Sequence, residues 1–148
     1  MGETGRGTPD GLAVPSRDTR LPGGRGVLVV DDEPSIRHLV QSALRPMGYE
    51  VTVAAGGREA LRAVYAESAS PALLVTDIDM PGMTGIELAA RLTAERPAVQ
   101  VILMTGDVAS AERARTRAGF VAAVLLKPFS TAELRDAVRA TIGDPRGG

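Results

Sequence analysis

Residues 73–85 read LLVTDIDMPGMTG. An apolar run, Leu73, Leu74 and Val75, reaches Thr76 and then meets an acid, Asp77. A second acid, Asp79, stands two positions on, ahead of the breaker pair Pro81-Gly82. Thr84 with Glu87 has the spacing of a capping box and opens a helix, GIELAARLTAE. This short stretch thus passes from a buried strand, through an acidic loop, into a helix. Repeated along a chain, that order builds a parallel sheet with helices on its faces.

The same unit recurs in both directions. Upstream, VLVV (27–30) is a β-branched run suited to burial on both faces. Ile36, Leu39, Val40, Ala43 and Leu44 follow at helical spacing, with Pro34 at the first helical position and Gly48 at the expected end. YEVTV (49–53) alternates enough to suggest an edge strand, and GREALRAVYAE (57–67) a helix. ALLVT (72–76) is then the third strand. Downstream, VQVILMT (99–105) is the fourth and AAVLL (122–126) the fifth. A weakly amphipathic helix is expected from Ser110 to Arg117, ending near Gly119. Ser130 with Glu133 repeats the capping box before a last helix marked by Leu134, Ala137, Val138 and Ile142. The expectation is an α/β doubly wound five-stranded parallel sheet with right-handed crossovers.

The 148 residues suffice for one domain with a core, expected over 26–143. Residues 1–25 are rich in Gly, Pro, Ser, Thr and Arg and read as a disordered tail or linker, and 144–148 as a frayed end. No apolar run approaches the roughly 18 residues of a membrane span, and the start lacks the apolar core of a secretory signal. Cysteine is absent, which excludes disulfides and thiolate chemistry and suits a cytoplasmic protein. A net charge of −1 and 3% aromatics argue against a protein that tracks nucleic-acid phosphates or stacks bases.

In a doubly wound sheet the working site lies at the carboxyl ends of the strands. Asp31 and Asp32 follow strand one, Asp77 follows strand three, Thr105 ends strand four, and Lys127-Pro128 follows strand five. Strand two ends in Ala54-Ala55-Gly56, without polar chemistry. In the order 2-1-3-4-5 the four polar ends are neighbours and converge on one rim. Three carboxylates there stay ionised together only around a cation. With oxygens as the ligands on offer, that selects a hard ion such as Mg²⁺. A lysine and a hydroxyl facing the same point suit phosphoryl oxygens. The set suggests phosphoryl transfer onto an aspartate.

VLVVDDEP, LLVTDIDMPGMTG, VILMT and LLKPF together resemble the receiver domain of two-component response regulators over about residues 26–142. The order 2-1-3-4-5 is that of a chemotaxis regulator of this flavodoxin-like receiver fold, so it is no independent derivation. The resemblance implies that Asp77 accepts the phosphoryl group. It gives Asp32 to Mg²⁺ directly, Asp31 mostly through water, and the backbone carbonyl of Asp79 as a further ligand. Thr105 and Lys127 would hold the phosphoryl group, and the Lys127–Pro128 peptide would be cis. The donor would be a phosphohistidine on a sensor histidine kinase or histidine phosphotransfer protein. Such a receiver catalyses its own modification and is not a turnover enzyme.

The chain departs from the family at the switch aromatic, three residues before the lysine, where Val124 stands. Counting forward from Gly119 instead suggests one extra residue in FVAAVLL and lands on Ala123, which is no better, and leaves Phe120 as a substitute from the loop. Asp79 and Asp107, each two residues past a key position, are candidates for modulating the lifetime of the phosphorylated state. Several residues have plainer readings. Asp31-Asp32 alone would pass for a helix cap, and Thr105 or Lys127 alone for a strand-end hydroxyl and a solvated lysine. His38 lies in IRHLVQ, with no neighbour to polarise it, and is better a surface residue than a phosphodonor. Phe129 and Leu134 are expected in the core, and Arg113, Arg115 and Arg117 on a solvated or partner-binding face.

Two other chemistries fit parts of the pattern. Asp77-Ile78-Asp79 matches the D-x-D of haloacid-dehalogenase-type phosphatases, but there the D-x-D precedes the acidic pair, and here it follows. A flavodoxin-like binding module needs a phosphate-cradling loop after strand one, where this chain has DDEPS. With no effector region expected after 143, the chain reads as a single-domain regulator or relay intermediate, or as the receiver of a hybrid kinase. Neither nucleic acid nor membrane is expected as a partner of this part alone.

Overall fold

The strands are short runs of Val, Leu and Ile because both faces of each inner strand are covered. In the computed structural model, which describes residues 25–67, 70–117 and 119–145, the order of elements is as follows. Strand β1 (Gly26–Val30) leads to helix α1 (Pro34–Leu44), then β2 (Glu50–Ala54) and α2 (Gly57–Glu67). Strand β3 (Leu73–Asp77) leads to α3 (Gly85–Glu95), β4 (Gln100–Thr105) to α4 (Val108–Arg117), and β5 (Val121–Leu126) to α5 (Thr131–Ile142). The sheet is parallel and its order is β2-β1-β3-β4-β5, as expected. The expected tail lies outside the described residues except for Arg25. Of the expected frayed end, Asp144 and Pro145 are described.

Alternate residues of the strands feed two cores. Leu28, Val30, Leu74, Val101 and Leu103 pack with Leu61, Val64, Leu88, Leu92 and Ala114, so α2, α3 and α4 cover one face. Val27, Val29, Leu73, Val75, Ile102 and Met104 pack with Val40, Leu44, Leu134 and Val138, so α1 and α5 cover the other. Every residue of β3 is buried, which makes it the rigid post on which Asp77 is mounted. Leu134 is buried and Phe129 packs against the same core, as expected. Among the described residues no helix is long and apolar enough to cross a membrane.

Four local expectations change. Gly48 does not close α1: that helix ends at Leu44, a 3₁₀ turn follows over Arg45–Met47, and Gly48 terminates the turn at φ 105. Helix α4 starts at Val108, two residues before the expected Ser110, because Asp107 accepts hydrogen bonds from the Ser110 N–H (3.1 Å) and hydroxyl (2.7 Å). Strand β3 runs one residue past the expected Thr76 and takes in Asp77. Strand β5 starts at Val121 and carries a bulge: Val121 pairs with Val101 but Ala123 with Ile102, leaving Ala122 as the extra residue. Both capping boxes form, at Thr84–Glu87 and Ser130–Glu133, and fix where α3 and α5 begin.

Candidate functional site

Three adjacent strands and the loop after β5 bring the expected residues together. Asp31 follows β1 and is fully buried. Asp77 ends β3 and is 6% exposed. Thr105 ends β4 and is fully buried. Asp32 is exposed beside them. Asp31, Asp32 and Asp77 each place one carboxylate oxygen within 4.8 Å of the others. The backbone braces the rim: Ile78 N–H donates to the Met104 carbonyl (2.9 Å) and Lys127 N–H to the Thr105 carbonyl (2.7 Å). The Lys127–Pro128 peptide is cis, as the resemblance implied.

Lys127 is the cation at the centre. Its Nζ lies 2.9 Å from Asp31 Oδ2, 3.3 Å from Asp77 Oδ1 and 3.5 Å from Glu33 Oε1. Burial alone lowers the pKa of this ammonium, but the hydrogen bond to Asp31 and the charges of Asp31 and Asp77 outweigh it, and the net shift is upward. Asp77 is pushed up to about 6, first by burial and then by the Asp31 charge. Lys127 opposes the rise and Asp79 adds to it. One ammonium cannot neutralise three acids. Asp32 has no ion pair among the described residues, and the donors are all oxygen, so the set fits a hard divalent cation.

The remaining expected residues divide. The Thr105 hydroxyl accepts a hydrogen bond from Asp107 N–H (3.1 Å), so it stands at the head of the loop into α4. The Asp107 carboxylate turns to Ser110, whose hydroxyl bond is the first cause of its lowered pKa; it serves as the cap of α4. Asp79 is exposed, and its side chain makes no hydrogen bond or ion pair among the described residues. Val124 is half-buried on the α2–α3–α4 face, where Phe120 also packs. Phe120 lines a cavity of about 290 Å³ between α3 and α4 with Ile78, Ile86 and Ala114. His38 is exposed, with its Nε2 3.5 Å from the Ser42 hydroxyl. Arg113 and Arg115 are exposed, while the Arg117 side chain lies outside the described residues.

Three supports were not read from the sequence. Glu33 adds a third acid to Lys127 from 94 positions away. Arg37 Nη1 donates to the Asp31 carbonyl (2.7 Å) and steadies the loop. At Gly85 a Cβ would overlap the Asp77 carbonyl, so the start of α3 must be glycine to lie against Asp77. A glycine directly after a capping threonine was the signal available for the last.

Fold and rim together define a doubly wound α/β protein with an acid–lysine site at the carboxyl edge of its sheet. The model of the response regulator receiver domain matches residues 27–139, and the chain belongs to that family. It is 39% identical over 112 residues to the response regulator receiver protein CpdR of Brucella abortus, covering 76% of this chain and 89% of CpdR. It is 34% identical over 115 residues to the sporulation initiation phosphotransferase F of Bacillus subtilis, covering 76% and 90%. The chain spans about half the length of the transcriptional regulatory proteins it also matches. The response regulator TrrA of Thermotoga maritima, in a complex with Mg²⁺-BeF, superposes with a TM-score of 0.69 at 32% identity, over 79% of this chain and 98% of TrrA.

Proposed function

We propose that the chain is a phosphoacceptor in a two-component relay and that Asp77 carries the phosphoryl group. The observation that carries this is the seat of Asp77: it is buried, 3.3 Å from the Lys127 ammonium, and shares a pocket with two further carboxylates. A carboxylate oxygen of Asp77 attacks phosphorus on the phosphohistidine of a sensor histidine kinase or phosphotransfer protein. The P–N bond breaks, its electron pair stays with the imidazole, and a proton from solvent neutralises that ring. Asp31, Asp32, Asp77 and the Asp79 carbonyl would hold Mg²⁺, which supplies charge neutralisation at the phosphoryl oxygens. Lys127 pairs with one of those oxygens, and the Thr105 hydroxyl donates to another.

The Mg²⁺-BeF complex of TrrA supports the metal assignment. Relay use is the favoured role, because Val124 replaces the aromatic that would report phosphorylation to the far face, and a relay needs only acceptance and return of the group. The chain then acts as a stoichiometric carrier in the cytoplasm and not as a turnover enzyme. Incubation with Mg²⁺ and acetyl phosphate, followed by intact mass, tests this. One added phosphoryl group is expected, labile to hydroxylamine and lost in Asp77→Asn. Its absence with acetyl phosphate and with a phosphorylated kinase would refute the reading. Multiple turnover of a phosphomonoester would restore the phosphatase alternative.

A further inference from the structure

On a second surface of the molecule cations outnumber acids. Between α2 and α3 runs an open groove of about 910 Å³, lined by Arg58, Arg62 and Tyr65 from α2, by Glu87 and Arg91 from α3 and by Met83 from the loop between β3 and α3, with Leu61 beside them. Arg58, Arg62 and Tyr65 lie along one side of α2 at helical spacing. Met83 sits close against Gly57, where a Cβ would come within 2.6 Å of its sulfur, so loop and helix form a continuous wall. Tyr65 is 45% exposed and is one of three large hydrophobic residues that project from the described surface.

The nearby acids make no ion pair with these arginines. Glu59 accepts from Ala55 N–H (2.8 Å) and Glu87 from Thr84 N–H (2.9 Å), so both carboxylates are engaged at helix starts. Glu95 is taken by Arg96 and by the Tyr65 hydroxyl. Arg58, Arg62 and Arg91 form no ion pair among the described residues. The groove therefore carries three guanidinium groups without an ion pair against the one carboxylate of Glu87, a net positive strip on a chain of net charge −1.

We infer that the α2–α3 groove docks an acidic amphipathic helix of a partner protein. Helix-in-groove binding needs apolar anchors on a seam and charges beside it. Leu61, Met83 and Tyr65 supply the seam, and the three arginines match carboxylates spaced a turn apart. A nucleic acid fits less well, because the groove begins at Gly82-Met83, just past Asp79 and the acidic rim, which repels a long polyanion. The chain's own residues 1–24 fit less well too, since Arg6, Arg17 and Arg20 are balanced there by Glu3, Asp10 and Asp18.

The test uses the full chain, ¹⁵N-labelled, and a synthetic helical peptide of Glu with Leu at helical spacing, beside a Lys-for-Glu control. Amide shifts are expected on residues 57–65 and 82–91, with affinity falling at least tenfold in Arg58→Glu/Arg62→Glu and unchanged in Arg113→Glu/Arg115→Glu. Should the charge reversal unfold the chain, Arg58→Gln/Arg62→Gln decides, with a loss of about threefold or more expected. Absence of peptide binding, shifts elsewhere, equal binding of the Lys peptide, or unchanged affinity in the α2 variants would each overturn the proposal. So would a short DNA duplex binding through these arginines in place of the peptide.

Discussion

At the scale of single residues, the site rests on what stands behind Asp77 as much as on what faces it. Lys127 approaches from one side, and Gly85 closes the other, with no room for a side chain against the Asp77 carbonyl. Gly85→Ala must displace either Asp77 or the first turn of α3. A loss of about 1–3 kcal/mol in urea unfolding is expected, as for other overpacked positions, together with slower phosphorylation by acetyl phosphate. Wild-type stability with wild-type rates would show that the loop yields freely. Asp31, Asp32, Asp77, Thr105 and Lys127 were legible in the sequence because each stands where an apolar run ends, and strand ends of a parallel sheet meet on one rim. Glu33 was not, because its contact with Lys127 joins two loops and leaves no periodic trace, and Gly85 showed only as a glycine after a capping threonine, with nothing to place it against Asp77.

At the scale of elements, strands and helices follow from apolar runs and capping boxes, and the departures fall at the end of α1, the end of β3, the start of α4 and in β5. Asp107 is the instructive case. Read as a neighbour of the reaction, it is engaged as the cap of α4, and its N–H also holds the Thr105 hydroxyl. Asp107→Ala should therefore cost about 1 kcal/mol and speed amide exchange in the first turn of α4. Asp107→Asn keeps an equivalent cap and should leave stability unchanged. Any change in phospho-aspartate lifetime that persists in Asp107→Asn, or appears in Asp79→Asn, belongs to charge beside the proposed phosphoryl site. Unaltered lifetimes in both would remove that role. The bulge at Ala122 explains why counting from Gly119 and from Lys127 gave different residues for the switch aromatic. The extra residue is absorbed before Ala123, so the count from Lys127 holds, and Val124 stands opposite Leu103. The disagreement between the two counts is the trace of one extra residue in FVAAVLL, and nothing in that run marks which residue is extra.

At the scale of the whole molecule, the crowding of acids should make global stability respond to pH and to divalent cations. Burial and the Asp31 charge raise Asp77 from 3.8 in the unfolded chain to about 6 in the fold. Between those values the native state binds more protons than the unfolded state, so stability falls as pH rises and the loss is complete above about 6. The upper bound on that loss is about 3 kcal/mol for a shift of this size. Asp77→Asn cannot ionise and escapes it. At pH 7.5 without divalent cations the variant should therefore melt several degrees above the wild type, at roughly 2–4 °C per kcal/mol for a chain of this length. The gap should narrow as pH is lowered through 5 towards 4, where Asp77 is protonated in the wild-type fold. Mg²⁺ should stabilise the wild type by an increment that grows with its concentration, and the variant by less, because binding to the native state alone adds to its stability. Scanning calorimetry of both proteins at pH 4.5 and 7.5, with and without Mg²⁺, reads all of these differences. A wild type as stable as Asp77→Asn at pH 7.5 without metal would mean that Lys127 already compensates the charge of Asp77, and that the pocket has no electrostatic demand left for a cation to meet.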